Sequence, residues 1–363
     1  MRNVPCAVTA ALALLCCPAG AQTNNVVVYG RLNVALENMR TSVGPDGRAT
    51  SVNRESNDRS VLGFRGTEDL GDGIKALFQI EGTLSPDTGA GAIAQRDTRV
   101  GLETPWGTLF GGNWVTPYNE ATSGLDPFYP TTAGYMSLMA NGSAPTTDNV
   151  INPYSFDRRQ QNSVHYWTPE WRGLRLRVAQ GLNEERPASG ARPALTSAAL
   201  AYEAGPLYLT AAYERHHDYQ GPGLNDTGSK LGAAYKFGTT RIALVAEHLR
   251  YGTAGGALTR NAWYLSASHQ IGQHGLRAGF ARAGDGKGLG APRVGFIVAG
   301  PDTGATHATL GYDYTFSKRT SVFVYYTRLH NDRRAVYDFA INSLDAGPGA
   351  TLRGTALGLR HNF

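Results

Sequence analysis

From residue 26 to the last residue, apolar and polar side chains alternate with a period of two, in segment after segment. Such alternation builds strands with one apolar face. Nowhere in this region does an apolar run approach the ~18 residues of a membrane helix. The chain is therefore confined to all-β architectures. If it crosses a membrane, it does so as a closed barrel, because hydrocarbon leaves an open sheet edge unsatisfied. In the first segment Val28, Leu32, Val34 and Leu36 share one face, and Tyr29, Arg31, Asn33 and Glu37 the other. Phe78 and Ile80 oppose Lys75, Gln79 and Glu81; Leu357, Leu359 and Phe363 oppose Arg360 and Asn362.

Sixteen segments repeat the pattern, starting near Val26, Ser60, Ile74, Arg96, Thr108, Asn162, Leu174, Ser197, Leu207, Gly228, Arg241, Asn261, Leu276, Ala305, Thr320 and Gly354. Their connections alternate. The short ones are Glu68–Gly73, Thr104–Gly107, Pro169–Gly173, Ala204–Pro206, Gly238–Thr240, Gly272–Gly275 and Ser317–Arg319. The long ones are Arg40–Arg59, Ser85–Gln95, Thr116–Gln161, Gly181–Thr196, His216–Thr227, Tyr251–Arg260, Ala283–Gly304 and Leu329–Arg353. Short turns at one end and long loops at the other describe an outer-membrane barrel. A soluble β-sandwich gives no reason for that alternation, nor for Tyr, Phe and Trp near strand ends, and it leaves sixteen strands without a core. The expected fold is a 16-stranded antiparallel transmembrane β-barrel formed by residues 22–363 as one domain.

Residues 1–21 read as a secretory signal: Arg2, an apolar run from Ala7 to Cys17, then Ala19-Gly20-Ala21 as the cleavage site. All three cysteines (Cys6, Cys16 and Cys17) lie there, so the mature chain has no thiol for a disulfide or metal. The balance is mildly basic, 34 Lys and Arg against 29 Asp and Glu. These charges are spread along the chain rather than gathered on a stripe, which argues against nucleic acid as a partner. No nucleophile elbow and no paired-histidine zinc motif is present. His216-His217-Asp218 reads as a polar loop start, and Gly284-Asp285-Gly286-Lys287-Gly288 as a flexible loop. No enzymatic activity, cofactor or metal is expected.

The gap from Trp114 to Asn162 has no strand pattern and is broken by Pro117, Pro127, Pro130, Pro145 and Pro153. A structureless stretch this long is functional when it is real.

The run Leu62-Gly63-Phe64-Arg65-Gly66-Thr67-Glu68-Asp69-Leu70-Gly71-Asp72-Gly73-Ile74-Lys75-Ala76-Leu77-Phe78-Gln79-Ile80-Glu81 closely resembles the Gram-negative general porins, above all the Bordetella, Burkholderia and Neisseria type. Val28-Tyr29-Gly30-Arg31-Leu32, Arg99-Val100-Gly101-Leu102-Glu103 and the terminal Gly358-Leu359-Arg360-His361-Asn362-Phe363 match as well. The resemblance covers the mature chain. It implies a homotrimeric outer-membrane pore that passes small hydrophilic solutes and ions by passive diffusion. It also implies that the terminal strand ending in Phe363 is the signal read by the assembly machinery.

In such proteins the third long loop, here Thr116–Gln161, folds into the lumen and narrows it. Glu120 and Asp126 are the acidic residues that would carry negative charge there; Asp126, before a proline, could equally shape the loop. The facing wall carries a basic ladder. Parity puts Arg31, Arg65, Arg99 and Lys75 on the polar, lumen side. The three arginines are expected at similar mid-barrel height, and Lys75 nearer the short turns. The family has Arg where this chain has Gly112, so one rung reads as missing. Arg158-Arg159 could line the mouth or meet anionic lipopolysaccharide. Alternatives within the same fold are a substrate-selective channel with a saturable site, or a surface barrel acting mainly as adhesin or antigen.

Overall fold

A computed structural model describes residues 26–143, 153–184 and 187–363. The expected signal segment, all three cysteines and the Ala144-Pro145 step lie outside the described residues.

The chain forms a closed antiparallel ring of sixteen barrel strands. They are β1 (Val27–Thr41), β2 (Thr50–Asn57 with Val61–Gly71), β3 (Ile74–Ser85), β4 (Ala90–Ala92 with Thr98–Thr104) and β5 (Gly107–Val115). After the long segment come β6 (Arg159–Trp167), β7 (Leu174–Gly181), β8 (Ala194–Ala204), β9 (Leu207–His217), β10 (Asn225–Phe237) and β11 (Thr240–Thr253). The ring ends with β12 (Gly256–Ile271), β13 (His274–Ala283), β14 (Ala305–Thr315), β15 (Thr320–Asn331) and β16 (Thr351–Asn362). β16 pairs with β1 from Arg31↔Asn362 to Thr41↔Leu352, which closes the ring and leaves no edge. Phe363 completes the seam: its N–H and carbonyl both bond to Gly30 at 3.0 Å.

Period-2 alternation decides which face is which. Leu36, Val100, Leu231 and Leu310 stand outward, each more than 60% exposed. The polar parity points inward, as with Asn33, Glu81, Lys230 and Ser266, all buried.

Two departures from the sequence reading concern the loop side. β2 begins at Thr50, not near Ser60, because β1 pairs with both of its pieces. The expected loop Arg40–Arg59 therefore contains a strand piece, Thr50–Asn57, and the strand breaks only at residues 58–60. Asn33 stitches it: its Nδ2 donates to the Asp58 carbonyl and its N–H to Ser60 Oγ, both at 2.9 Å. The long loop expected over Tyr251–Arg260 is a tight turn between Thr253 and Gly256, where Gly256 has φ +129°. Here the pattern inverts. Leu249, Tyr251 and Leu258 point inward and are fully buried, while His248, Arg250 and Asn261 point outward. An inward apolar residue is a signal that something fills the lumen at that level.

Two apolar clusters fill part of it. One joins Met136, Leu138 and Met139 with Tyr337 and Phe339 and with inward residues of β1 and β10–β16, such as Met39, Leu329 and Leu352. The other joins Tyr118, Ala140 and Phe156 with β8, β9, β11 and β12. Among the described residues, β2 contributes only the partly buried Val52, and β3–β7 contribute nothing to either cluster.

Candidate pore constriction

The segment between β5 and β6 starts with a short helix, α1 (Pro117–Ser123). Thr116 caps it, its Oγ1 accepting from the Asn119 N–H at 3.3 Å, and Pro117 opens the first turn where no N–H is needed. The irregular backbone beyond α1 lacks ladder partners, so its buried carbonyls need donors from elsewhere. The inner wall supplies them. Tyr208 Oη donates to the Ala121 carbonyl (2.8 Å), Arg241 to Gly124 (2.8 Å), Ser266 to Leu125 (2.7 Å) and Arg277 to Pro127 (2.9 Å). These donors sit on β9, β11, β12 and β13, all on the polar parity. β6 starts at Arg159, so the segment ends three residues before the expected Gln161.

Glu247 on β11 holds the segment at two places. It accepts from Tyr118 Oη at 2.9 Å and from the Ala140 N–H at 2.8 Å. Arg260 Nη2 at 3.0 Å and Lys230 Nζ at 3.6 Å balance its charge. All three ionic side chains are buried. Sequence reasoning missed this group. The signal available was three inward charges on adjacent strands.

The expected acidic residues are placed differently from each other. Glu120, in the first turn of α1, pairs with Arg177 and is about one-third exposed. Asp126 is enclosed: Oδ1 accepts from the Phe128 N–H (2.9 Å) and Tyr264 Oη (2.6 Å), Oδ2 from the Tyr135 N–H (2.8 Å). Burial pushes its carboxyl up to about 6, against those hydrogen bonds, which pull it down. Its contacts are those of a residue that shapes the loop, the second of its two sequence readings. It presents no charge to open space.

Arg65 and Arg99 lie on β2 and β4, strands that contribute no fully buried residue to either apolar cluster, while Arg31 and Arg360 lie on β1 and β16, which contribute to the first. Arg65 pairs across the sheet with Gln79, and Gln79 with Arg99, so the two arginines flank one register row. Arg31 lies outside that row, since Arg65 faces Val27 and Arg31 faces Val61. Arg31 Nη2 donates to the Arg59 carbonyl at 2.9 Å. The Arg65 guanidinium lies 5.1 Å from the Tyr29 ring. Arg99 is caged by Phe110 (4.7 Å), Trp114 (4.3 Å) and Trp167 (4.9 Å). Lys75 sits apart, next to a short turn, half-exposed and 3.6 Å from Glu103. Arg360 on β16, which sequence reasoning left out of the ladder, joins the group near Asn33 Oδ1 at 3.4 Å. Among the described residues, no carboxylate lies within ion-pair distance of Arg31, Arg65, Arg99 or Arg360. Of the nearby carboxylates, Glu81 is answered by Arg96, Asp97 by Arg159, Asp157 by Arg59 and Asp313 by Arg277, while the buried Asp58 is in no ion pair among the described residues.

Gly112 is not a vacant place for an arginine. It has φ +151° at a bulge in the β5–β6 pairing, and a Cβ there would run into the Thr98 carbonyl. Arg177, which stacks 4.3 Å from Trp167 as well as pairing with Glu120, is a basic side chain the sequence reading did not single out. Of the paired arginines at the β6 end, Arg159 binds Asp97 at 2.7 Å and Arg158 lies 4.9 Å from the Tyr219 ring. His216 is buried between Phe156 and Tyr219.

The chain matches the model of the Gram-negative porin family over residues 7–334. The chain belongs to that family. It is 25% identical to outer membrane porin protein 32 of Delftia acidovorans over 97% of this chain and 98% of that one. With an outer membrane porin of Bordetella pertussis the figures are 27%, 73% and 75%. Its fold matches an anion-selective porin from Comamonas acidovorans with a TM-score of 0.76 at 22% identity, covering 94% of this chain and all of that one. A trimer form of OmpT from Vibrio cholerae matches with a TM-score of 0.63 at 16% identity, over 94% and 99% of the two chains. The protein is thus an outer-membrane porin, a channel for passive diffusion of small solutes and not an enzyme.

Proposed function

We propose that the porin's constriction lies between the 116–158 segment, held in the lumen, and the wall of β1–β5 and β16, and that it prefers anions. Arg31, Arg65, Arg99 and Arg360 supply the field; Glu120 tempers it through Arg177, Asp126 fixes the loop, and Lys75 contributes little because Glu103 offsets it. The observation that carries this reading is that, among the described residues, none of those four arginines has a carboxylate within ion-pair distance. In a narrow passage with low-dielectric walls, uncompensated charges of one sign concentrate counter-ions and set ion preference. The Comamonas porin is described as anion-selective; the same preference is proposed here from this chain's own side chains. The working unit is a homotrimer, as in the OmpT trimer form. Its terminal strand, with Phe363 sealed to Gly30, serves as the assembly signal.

The test is the zero-current potential of single channels under a potassium chloride gradient. The expected potential lies on the chloride side and moves toward zero in Arg31→Gln, Arg65→Gln and Arg99→Gln. A potassium preference in the parent, or no movement in any of the three, overturns the proposal.

A further inference from the structure

Two of the constriction arginines have hydrogen-bond partners: Arg31 donates to the Arg59 carbonyl and Arg360 to Asn33 Oδ1. Arg65 and Arg99 have aromatic partners only. Among the described residues, neither donates a hydrogen bond or meets a carboxylate. The Arg65 guanidinium is held 5.1 Å over the Tyr29 ring, yet the residue is exposed, so the side turned away from Tyr29 is open to the lumen. Arg99 sits in a cup of three rings, nearest to Trp114 at 4.3 Å. Its Nε and Nη1 are buried there without an acceptor, and Nη2 is the nitrogen left open.

The two side chains share one register row, with Gln79 between them. Two strand spacings separate their backbones, roughly 10 Å. Gln79 does not compete for the space, because its amide is turned to the Asp97 carbonyl at 3.1 Å. The row therefore offers an open cationic edge at Arg99 and an open cationic plane at Arg65. A guanidinium is flat, delocalised and weakly hydrated, so it stacks on aromatic rings as well as attracting anions; a lysine ammonium is a compact, strongly hydrated charge.

We infer that Arg65 and Arg99 form a subsite for planar aromatic carboxylates, Arg99 Nη2 receiving the carboxylate and the open face of Arg65 receiving the ring. Chloride uses the charge of the pair and nothing else. An aliphatic carboxylate uses Arg99 but has no ring to lay on Arg65. The inference rests on the reading that these arginines border an anion-preferring passage, and adds to it a preference among anions.

The experiment measures reversal potentials of single channels of the intact porin, with potassium chloride on one side and potassium benzoate or potassium cyclohexanecarboxylate on the other. The two organic ions share a carbon skeleton and a charge, and only benzoate is flat and aromatic. Benzoate should be the more permeant by roughly two- to fivefold, the range set by one exposed cation–ring contact. Arg65→Lys should bring that ratio to about one and keep chloride preferred over potassium. Arg99→Gln should reduce both carboxylates alike and leave the ratio above one. A ratio near one in the parent overturns the inference. So does a ratio that survives Arg65→Lys, since the passage then sorts the two ions by shape. If Arg65→Lys does not assemble, block of the chloride current in the parent decides: benzoate should block at concentrations at which cyclohexanecarboxylate does not, and equal block overturns the subsite. A potassium preference in the parent defeats the anion reading and the inference together; a chloride preference without a benzoate preference defeats the inference alone.

Discussion

Replacing Glu247 tests whether the lumen segment is held as the contacts describe. Its carboxylate joins Tyr118 and Ala140, which lie near the two ends of the stretch 116–143. It also neutralises Arg260 and Lys230, which are only 1% and 2% exposed. In Glu247→Ala both cations stay buried without a counter-charge. Breaking a buried ionic group by removing one partner costs about 3–5 kcal/mol. The cost falls on the segment and not on the ring, because the ring is closed by continuous ladders from β1 to β16 and back. A loss of that size shifts the opening equilibrium of the segment by roughly two to four orders of magnitude. Single-channel recording of Glu247→Ala should show larger conductance and excess open-channel noise, and limited proteolysis should cut the segment while the barrel keeps its heat resistance. Adding Lys230→Met should recover part of the loss, since one stranded cation is then gone. Unchanged conductance, noise and proteolysis in Glu247→Ala would refute the reasoning.

Other changes probe separate parts of the site. Glu120→Gln releases Arg177 from its ion pair, so the zero-current potential should move further toward chloride; movement toward potassium would contradict the assigned polarity. Gly112→Arg should not restore a basic rung. Its positive φ and the Thr98 carbonyl leave no room, strain alone costs about 1–3 kcal/mol, and the yield of folded, heat-modifiable barrel should drop; normal yield would show that the bulge tolerates a side chain. Asp126 has a raised carboxyl pKa, about 6 against an ordinary 3.8. A raised value in the folded state means stability fully present below about pH 4 and lost as the pH rises through 6. The stability difference between the parent and Asp126→Asn should therefore shrink over that window, by up to about 3 kcal/mol, in denaturant unfolding followed by circular dichroism. A difference independent of pH from 4 to 7 would count against a buried, titrating carboxyl.

The ring was legible because one face of every strand meets lipid, which enforces the period-2 pattern without exception at Leu36, Val100, Leu231 or Leu357. What lies inside was not, because a lumen has no single solvent. Leu249, Tyr251 and Leu258 are apolar yet inward, since the folded segment covers them, and they hid the turn at Thr253–Gly256. The break at Asp58–Ser60 hid the first piece of β2, since the side chain that stitches it, Asn33, lies on β1, 25 and 27 residues before Asp58 and Ser60. Arg31, Arg65 and Arg99 were found by parity. Arg360 and Arg177 have the same parity but lie on β16 and β7, outside the stretch where the ladder was sought. Why Gly112 stands at the missing rung is conformational: sequence shows which residue is present, not the positive φ that requires it.

The inner wall can fix an arginine in two ways. A carboxylate holds the guanidinium and cancels its charge, while an aromatic face holds it through the ring quadrupole and leaves its charge intact. The porin's arginines divide along this line. Arg59, Arg96, Arg159, Arg260 and Arg277 are bound to carboxylates and brace the wall or the segment. Arg65 lies against Tyr29, Arg360 against Phe323, and Arg99 within three rings. The fully buried wall residues of the apolar clusters come from β1 and β8–β16, so that they leave uncovered the stretch of wall that carries Arg65 and Arg99. Arg177 has both kinds of partner, Trp167 and Glu120, as does Arg59 with Tyr129 and Asp157. A field built this way stays fixed in direction because its sources are immobilised, and it stays positive because what immobilises them carries no net charge. Exchanging Trp114 for Leu should therefore leave the sign of ion preference unchanged but weaken its magnitude, as Arg99 gains freedom without gaining a counter-charge.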